Sequence, residues 1–264
     1  MKTCFSPVHL YIRRYQHRLI TAAIISALTC SLPTFAQTAP DNSIGINLGI
    51  MPRYEGANSY RVLPLPELSF THDNFFIHGL DAGVVYQILP GWSAGLLVTA
   101  GLGRKESDAA VLSGTGDIAP SLQAGGFVRW QDGPITVDTK FLQSLHSGYG
   151  SHITVGATYA IVHTSADRLT IGADAVWSSK DAMQTYFGID SQQAASSTEN
   201  LQQYHPSAGF SRTDAMLSWE HRLNPVWSVR STLGVQSLIG DAADSPVVER
   251  TRNAFGSLGL AYHF

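Results

Sequence analysis

The chain closes on Leu258-Gly259-Leu260-Ala261-Tyr262-His263-Phe264. Leu258, Leu260, Tyr262 and Phe264 are large and apolar, while Gly259, Ala261 and His263 between them are small or polar. A period of two belongs to a β-strand with one greasy face. A last strand with nothing after it to cover that face is expected where lipid does the covering. In a closed barrel the first strand then covers its edge. The pattern predicts the sealing strand of a transmembrane barrel, and the signal by which barrel-assembly machinery would take it up.

The amino-terminal stretch agrees with export. Residues 1–18 carry Lys2, Arg13, Arg14 and Arg18 and no acid, residues 19–32 are almost all apolar or small, and Thr34-Phe35-Ala36 offers a cleavage site. This predicts a secretory signal over 1–36, cut near Ala36, with 37–264 left as one barrel domain. The apolar run is too short to span a bilayer. Ala27-Leu28-Thr29 is a poor match to the pattern for lipid attachment at Cys30. Cys4 and Cys30 both leave with the signal, so the mature chain has no disulfide, thiol or cysteine-metal chemistry. Loss of the signal's four basic residues turns 17 basic against 20 acidic into 13 against 20, a net charge of −7. That is the wrong sign for a nucleic-acid partner.

Beyond the signal, no stretch approaches the roughly 20 apolar residues of a spanning helix. A membrane protein without such stretches has one option, a closed barrel whose strands alternate between lipid and lumen. Alternation recurs along the chain. Ile44, Ile46, Leu48 and Ile50 alternate with Gly45, Asn47 and Gly49; Ile153, Val155, Tyr159 and Ile161 oppose Thr154, Gly156 and Thr158. Residues 226–236 set Trp227, Val229, Leu233 and Val235 against Ser228, Arg230, Thr232 and Gln236. In 210–222, Arg212, Asp214, Ser218, Glu220 and Arg222 share one face, and Thr213, Ala215, Leu217 and Trp219 share the other. Four charges on one strand face are intolerable in a dry core and ordinary in a hydrated lumen. Arg212, Asp214, Glu220, Arg222 and Arg230 are therefore the candidate lumen charge network, able either to select solutes or to fill a narrow barrel with salt bridges.

The expected strands are 43–52, 61–72, 74–87, 92–104, 117–131, 134–146, 151–163, 168–177, 183–190, 207–222, 226–239 and 253–264. The fold class is thus all-β, an antiparallel transmembrane barrel of about 12 strands, with ten to fourteen as the range and both termini periplasmic. Strict alternation puts 105–116 among the periplasmic turns, where so long a segment is out of place. Either a strand pair is miscounted or that turn is large. Tyr86, Trp92, Trp130, Trp177, Tyr186, Phe187, Trp219, Trp227, Tyr262 and Phe264 fall near strand ends, as interface girdles do. Pro64 and Pro66 each remove a ladder donor, which predicts a bulge or a non-bonded edge in the second strand.

Several local patterns resemble the MipA/OmpV family of outer-membrane proteins. Pro52-Arg53-Tyr54-Glu55-Gly56 is similar to its early turn, and Tyr60-Arg61-Val62-Leu63-Pro64-Leu65-Pro66 to its proline-spaced second strand, with Phe75-Phe76 following. Gly101-Leu102-Gly103-Arg104, Gly116-Asp117-Ile118 and Tyr186-Phe187-Gly188-Ile189 resemble later blocks. Gly240-Asp241-Ala242-Ala243-Asp244-Ser245-Pro246-Val247-Val248 is the most specific of them. The resemblance implies a non-enzymatic barrel that, in the family's namesake, scaffolds a lytic transglycosylase beside a murein synthase. Outer-membrane lipid and those two periplasmic enzymes are the partners it implies.

Gly240, Asp241, Asp244, Ser245 and Pro246 form a candidate family loop, for which turn chemistry is the simpler reading. It is expected to face outward, away from murein. No cofactor, metal or catalytic residue is assigned. His72, Asp73 and His221 lie in unrelated segments, and the glycines at 101–103 and 114–116 lack the Lys-Ser/Thr of a phosphate loop. Only His163, Ser165 and Asp167 have a spacing that a lipid hydrolase could use, placed near the outer end of a strand. A solute channel is the alternative role.

Overall fold

In the computed structural model, residues 42–264 are described, and the segment 1–36 expected to be a signal, with its expected cleavage site and both cysteines, lies outside them. Twelve antiparallel strands close into a barrel. They are β1 Ser43–Pro52, β2 Tyr60–His72, β3 Phe75–His78, β4 Asp81–Leu89, β5 Trp92–Gly101 and β6 Ser121–Asp132. The other half comprises β7 Ile135–Ser144, β8 Ser151–His163, β9 Asp167–Ser178, β10 Gly209–Asn224, β11 Trp227–Leu238 and β12 Arg252–His263. Each strand pairs with its sequence neighbours, and β12 closes on β1 with Ile44 opposite Tyr262, Ile46 opposite Leu260 and Leu48 opposite Leu258. All six of these side chains stand well exposed on the outer wall. Phe264 adds a backbone bond to Asn42, so the sealing strand is paired to its last residue.

The count of twelve agrees with expectation through two offsetting differences. Residues 74–87 form two strands, not one, because Gly79, at φ +58°, and Leu80 turn the chain after only four residues of β3. Residues 183–190 are not a strand. Lys180–Phe187 is helix α1, started by Ser179, whose hydroxyl accepts from the Ala182 amide. Its Asp-Ala-Met-Gln run has no β-branched residue and no alternation. The split of 74–87 also moves 102–120 to the end of the barrel away from the start of β1 and the end of β12. All the long connections then share one end, and every connection at the other end is a tight turn.

The outer wall carries aromatic pairs near the turn end: Trp92 with Trp130, centroids 6.5 Å apart, and Trp227 with Tyr262 at 5.2 Å. At the loop end Trp177 lies opposite Phe210. Tyr186 and Phe187, expected in the girdle, sit instead on α1, where Phe187 is only 2% exposed.

The dry cores of the molecule lie not in the barrel but in a cap over its loop end. One cluster joins Tyr54, Ala57, Leu112, Ile189 and Val247 from four connections. A second joins Met183 and Phe187 of α1 to Leu238 and Ala242. Helix α2, Ser191–Ser196, is held to the 102–120 connection by a Gln193 amide bond to the Thr115 carbonyl at 2.8 Å.

Candidate functional site: the lumen and its capped chamber

Ladder register fixes which residues face inward. Arg212, Asp214, Ser218, Glu220 and Arg222 of β10 stand opposite Leu238, Gln236, Thr232, Arg230 and Ser228 of β11, on the lumen side. The ion pairs among them and their partners fall at two levels. At the lower level, Arg230 donates to Glu220 at 3.1 Å and to Glu67 of β2 at 2.5 Å. Ser228 donates to Glu220 at 3.2 Å, and its oxygen lies 2.7 Å from Nε2 of His263. On another part of the inner wall, Lys140 of β7 reaches Asp81 of β4 at 2.7 Å, with β5 and β6 between them. At the upper level, Arg212 is paired with Asp214 at 2.8 Å and with Glu55 of the first connection. Arg222 faces inward at the turn end. Glu55, Glu67, Asp81 and Lys140 are partners that the spacing within one strand could not supply.

Above Arg212 lies a chamber of about 380 Å³ under the cap. Arg104, 4% exposed, forms part of its wall. Its guanidinium sits 5.9 Å over the Tyr54 ring and donates to the Tyr186 carbonyl at 3.0 Å. Burial lowers its pKa, with Tyr54, Tyr186 and Asp108 acting in the opposite sense. Burial and then Glu55 push the Tyr186 phenol up to about 12. The Tyr54 phenol is also raised, by burial first and then by Glu249, to which it donates at 3.1 Å. Two guanidinium nitrogens near the chamber, Nε of Arg61 and Nε of Arg104, are buried without a hydrogen-bond partner.

The family loop is a clasp for the cap. Gly240 takes φ +56° and opens a 3-10 turn over Gly240–Ala242. The Asp241 carboxylate accepts from the Ser207 amide at 2.7 Å, and its carbonyl accepts from the Tyr204 hydroxyl at 2.7 Å. The Ser245 hydroxyl donates to the Phe187 carbonyl at 2.5 Å. Asp241 thus ties two connections together, beyond the turn chemistry that was the simpler reading. Asp244 and Pro246 belong to the same connection.

The hydrolase spacing does not assemble. His163 lies at the turn end, not the outer end, and pairs in register with Arg168 on the lumen face. Asp167 faces the other way, bonding Nδ1 of His221 at 2.8 Å and Nε1 of Trp219 at 3.0 Å. Among the described residues there is no group of three or more His, Cys, Asp or Glu side chains that could hold a metal ion.

The family model described as MltA-interacting protein MipA matches residues 44–264, the whole barrel. The chain belongs to that family. The MltA-interacting proteins of Escherichia coli (strain K12) and Shigella flexneri are each 23% identical over 228 residues, covering 84% of this chain and 90% of theirs. An outer membrane channel from Pseudomonas putida F1 is similar at 10% identity and a TM-score of 0.45, covering 89% of this chain and 99% of that one. Family and apolar outer wall together make this an outer-membrane barrel. Arg61 and Arg104, which no charge pattern or spacing marks as site residues, lie within two of the blocks that carry the family resemblance.

Proposed function

We propose that this protein is a non-enzymatic outer-membrane anchor that holds a periplasmic lytic transglycosylase, and through it a murein synthase, at the membrane. The observation that carries the reading is the packed cap over the loop end. The cap has its own apolar cores, and below it the ion pairs Arg230–Glu67 and Lys140–Asp81 each brace the inner wall across two intervening strands. Such a barrel is better suited to holding than to conducting. The relatives' name, MltA-interacting protein, supports the choice of partner.

The topology rule for bacterial barrels puts tight turns in the periplasm and long connections outside. The anchor then offers murein enzymes its tight turns, including Asp73-Asn74 and Asn224-Pro225-Val226, and its two termini. Export by the 1–36 signal, cleavage near Ala36 and insertion by the barrel-assembly machinery into lipid complete this reading. The immobilised refolded barrel should retain a lytic transglycosylase from periplasmic extract. Failure to retain it, with the heat-dependent gel shift of a folded barrel intact, would remove the proposal.

A solute channel is the second reading, favoured by the chamber of about 380 Å³ between cap and lumen. Conductance in planar bilayers separates the two: silence fits the anchor and steady openings fit the channel.

A further inference from the structure

The barrel wall is incomplete on one side, and the gap opens beside the capped chamber. Only Ser69–His72 of β2 pair with β3, so Tyr60–Leu68 have no strand beside them on that side. Strand β4 pairs with β5 no higher than Val98, which leaves Thr99–Gly101 without a partner there. Two absent strands leave about 14 Å between the β2 and β5 backbones at the usual spacing. The tip of the short hairpin, Gly79-Leu80, forms the sill, with the Gly79 amide bonded to the Leu68 carbonyl at 2.7 Å. Above, the Arg53–Asp108 contact at 3.7 Å ties the first connection to the 102–120 connection and forms the lintel.

This window lies at the height of the lipid-facing belt. On the intact side of β2, Val62, Pro64 and Pro66 stand opposite Ile50, Leu48 and Ile46, which face outward and are about half exposed. A bare sheet edge facing hydrocarbon is normally forbidden, because its polar groups have no partner. The prolines ease that cost. The Leu68 carbonyl points to β3 and the Thr71 amide to Asn42 beside β1, so even-numbered residues of β2 face the gap. Pro64 and Pro66 thus remove two amides from the open edge and make it a poor template for an added strand. What remains is an opening kept clear of β-pairing.

The inner surface behind the window passes from charge through an apolar stretch to the Glu67–Arg230 pair at the sill. Arg61, Leu63 and Leu65 of β2 face the lumen in that order from the loop end downward, with Leu97 of β5 inside the far jamb. The chamber touches both jambs, at Arg61 and at Gly101-Leu102. Its two unpartnered donors, Nε of Arg61 and Nε of Arg104, mark the charged end.

We propose that the window is a lateral port through which a single-chain amphiphile with an anionic head passes between the outer leaflet and the chamber. Its carboxylate or phosphate head takes the free Nε–H groups of Arg61 and Arg104, and its tail lies along Leu63 and Leu65. The head then points to the loop end, as it does in an outer leaflet. This binding activity is independent of any murein enzyme that the barrel holds.

The test uses the folded barrel in neutral detergent with 11-(dansylamino)undecanoate as the fluorescent probe. Laurate should displace the probe, whereas dodecanol and inorganic phosphate should be weaker by about tenfold or more, equivalent to about 1.4 kcal/mol. Arg61→Gln with Arg104→Gln should weaken probe binding by a similar factor. Leu65→Trp blocks the tail without touching either arginine and decides the matter if the arginine variant fails to fold. For the route, Val62→Cys on the jamb is labelled with a bulky maleimide, which the cysteine-free segment 37–264 permits. The label should slow probe uptake, and the same label at Val235→Cys on another part of the belt should not. Equal displacement by dodecanol or phosphate, unchanged affinity in Leu65→Trp, or equal uptake with both labels would overturn the proposal.

Discussion

Arg230 on β11 and Glu67 on β2 have two strands between them in the wall, yet their side chains meet at 2.5 Å. The bond runs across the inner surface of the seam where β12 closes on β1. The same guanidinium holds Glu220 at 3.1 Å, so one cation serves two carboxylates.

Removing that cation should cost more than removing either acid. Arg230→Met leaves Glu67 and Glu220 near each other without a counter-charge, whereas Glu67→Gln leaves Arg230 with Glu220. In a partly wet lumen the first change is expected to destabilise by about 1–3 kcal/mol and the second by less than half of that. Urea titration of the heat-dependent gel shift reads both. A larger loss in Glu67→Gln would contradict the pairing.

Cap stability should fall in alkali. The Tyr186 phenol is pushed up from 10.0 to about 12, by burial first and then by Glu55 and Tyr149. The unfolded cap therefore gives up that proton at lower pH than the folded one. Stability conferred by the neutral phenol is complete below pH 10 and is lost as pH rises through 12, and the raised Tyr54 phenol acts in the same direction. Protease cleavage within 179–208 should accelerate over that window in the wild type and respond less steeply in Tyr186→Phe. Flat cleavage rates across the window in both proteins would refute this.

Phe187 is the anchor of the second cap cluster. Its truncation to alanine removes a ring that is 2% exposed, which typically costs about 3–5 kcal/mol in a rigid core. The cost should fall on the cap, with strand circular dichroism unchanged. Nicking between 188 and 208 should become faster, and brief openings should appear in bilayers where the wild type is silent. A uniform loss of barrel stability would show that cap and wall are one cooperative unit.

The prolines flanking the window should act as guards. Pro64→Thr with Pro66→Thr restores two amide donors on the open side of β2. The variant should form dimers or larger species in detergent through that edge, detectable by light scattering. A strictly monomeric variant would mean that the edge is protected by something other than proline.

The parts of the fold that were legible in sequence are those where one strand contains its own evidence. The β1 and β12 alternation and the charged face of β10 needed only a period of two, because lipid and lumen impose opposite demands on neighbouring residues. Pro64 and Pro66 likewise announced a non-bonded edge, and the unbroken β1 register shows no bulge there. The hairpin at Gly79-Leu80 was missed because β3 is too short to establish a period before the chain turns. Helix α1 was missed because Tyr186-Phe187 imitates an interface aromatic pair, although Ser179 is a good helix cap. Glu55, Glu67 and Arg104 could not be assigned to the lumen from spacing, since closure brings them to partners from 82 to 163 residues away.

The short β3–β4 hairpin also sets unequal perimeters, twelve strands around one rim and ten around the other. A taper of this kind presents a low wall to the annular lipids beside Phe75 and Ile77 and a tall one elsewhere. Acyl chains in contact with the low side must bend or interdigitate to keep their ends out of water. The molecule therefore carries its own asymmetric imprint on the surrounding leaflet, and its rotational setting among neighbours is physically defined.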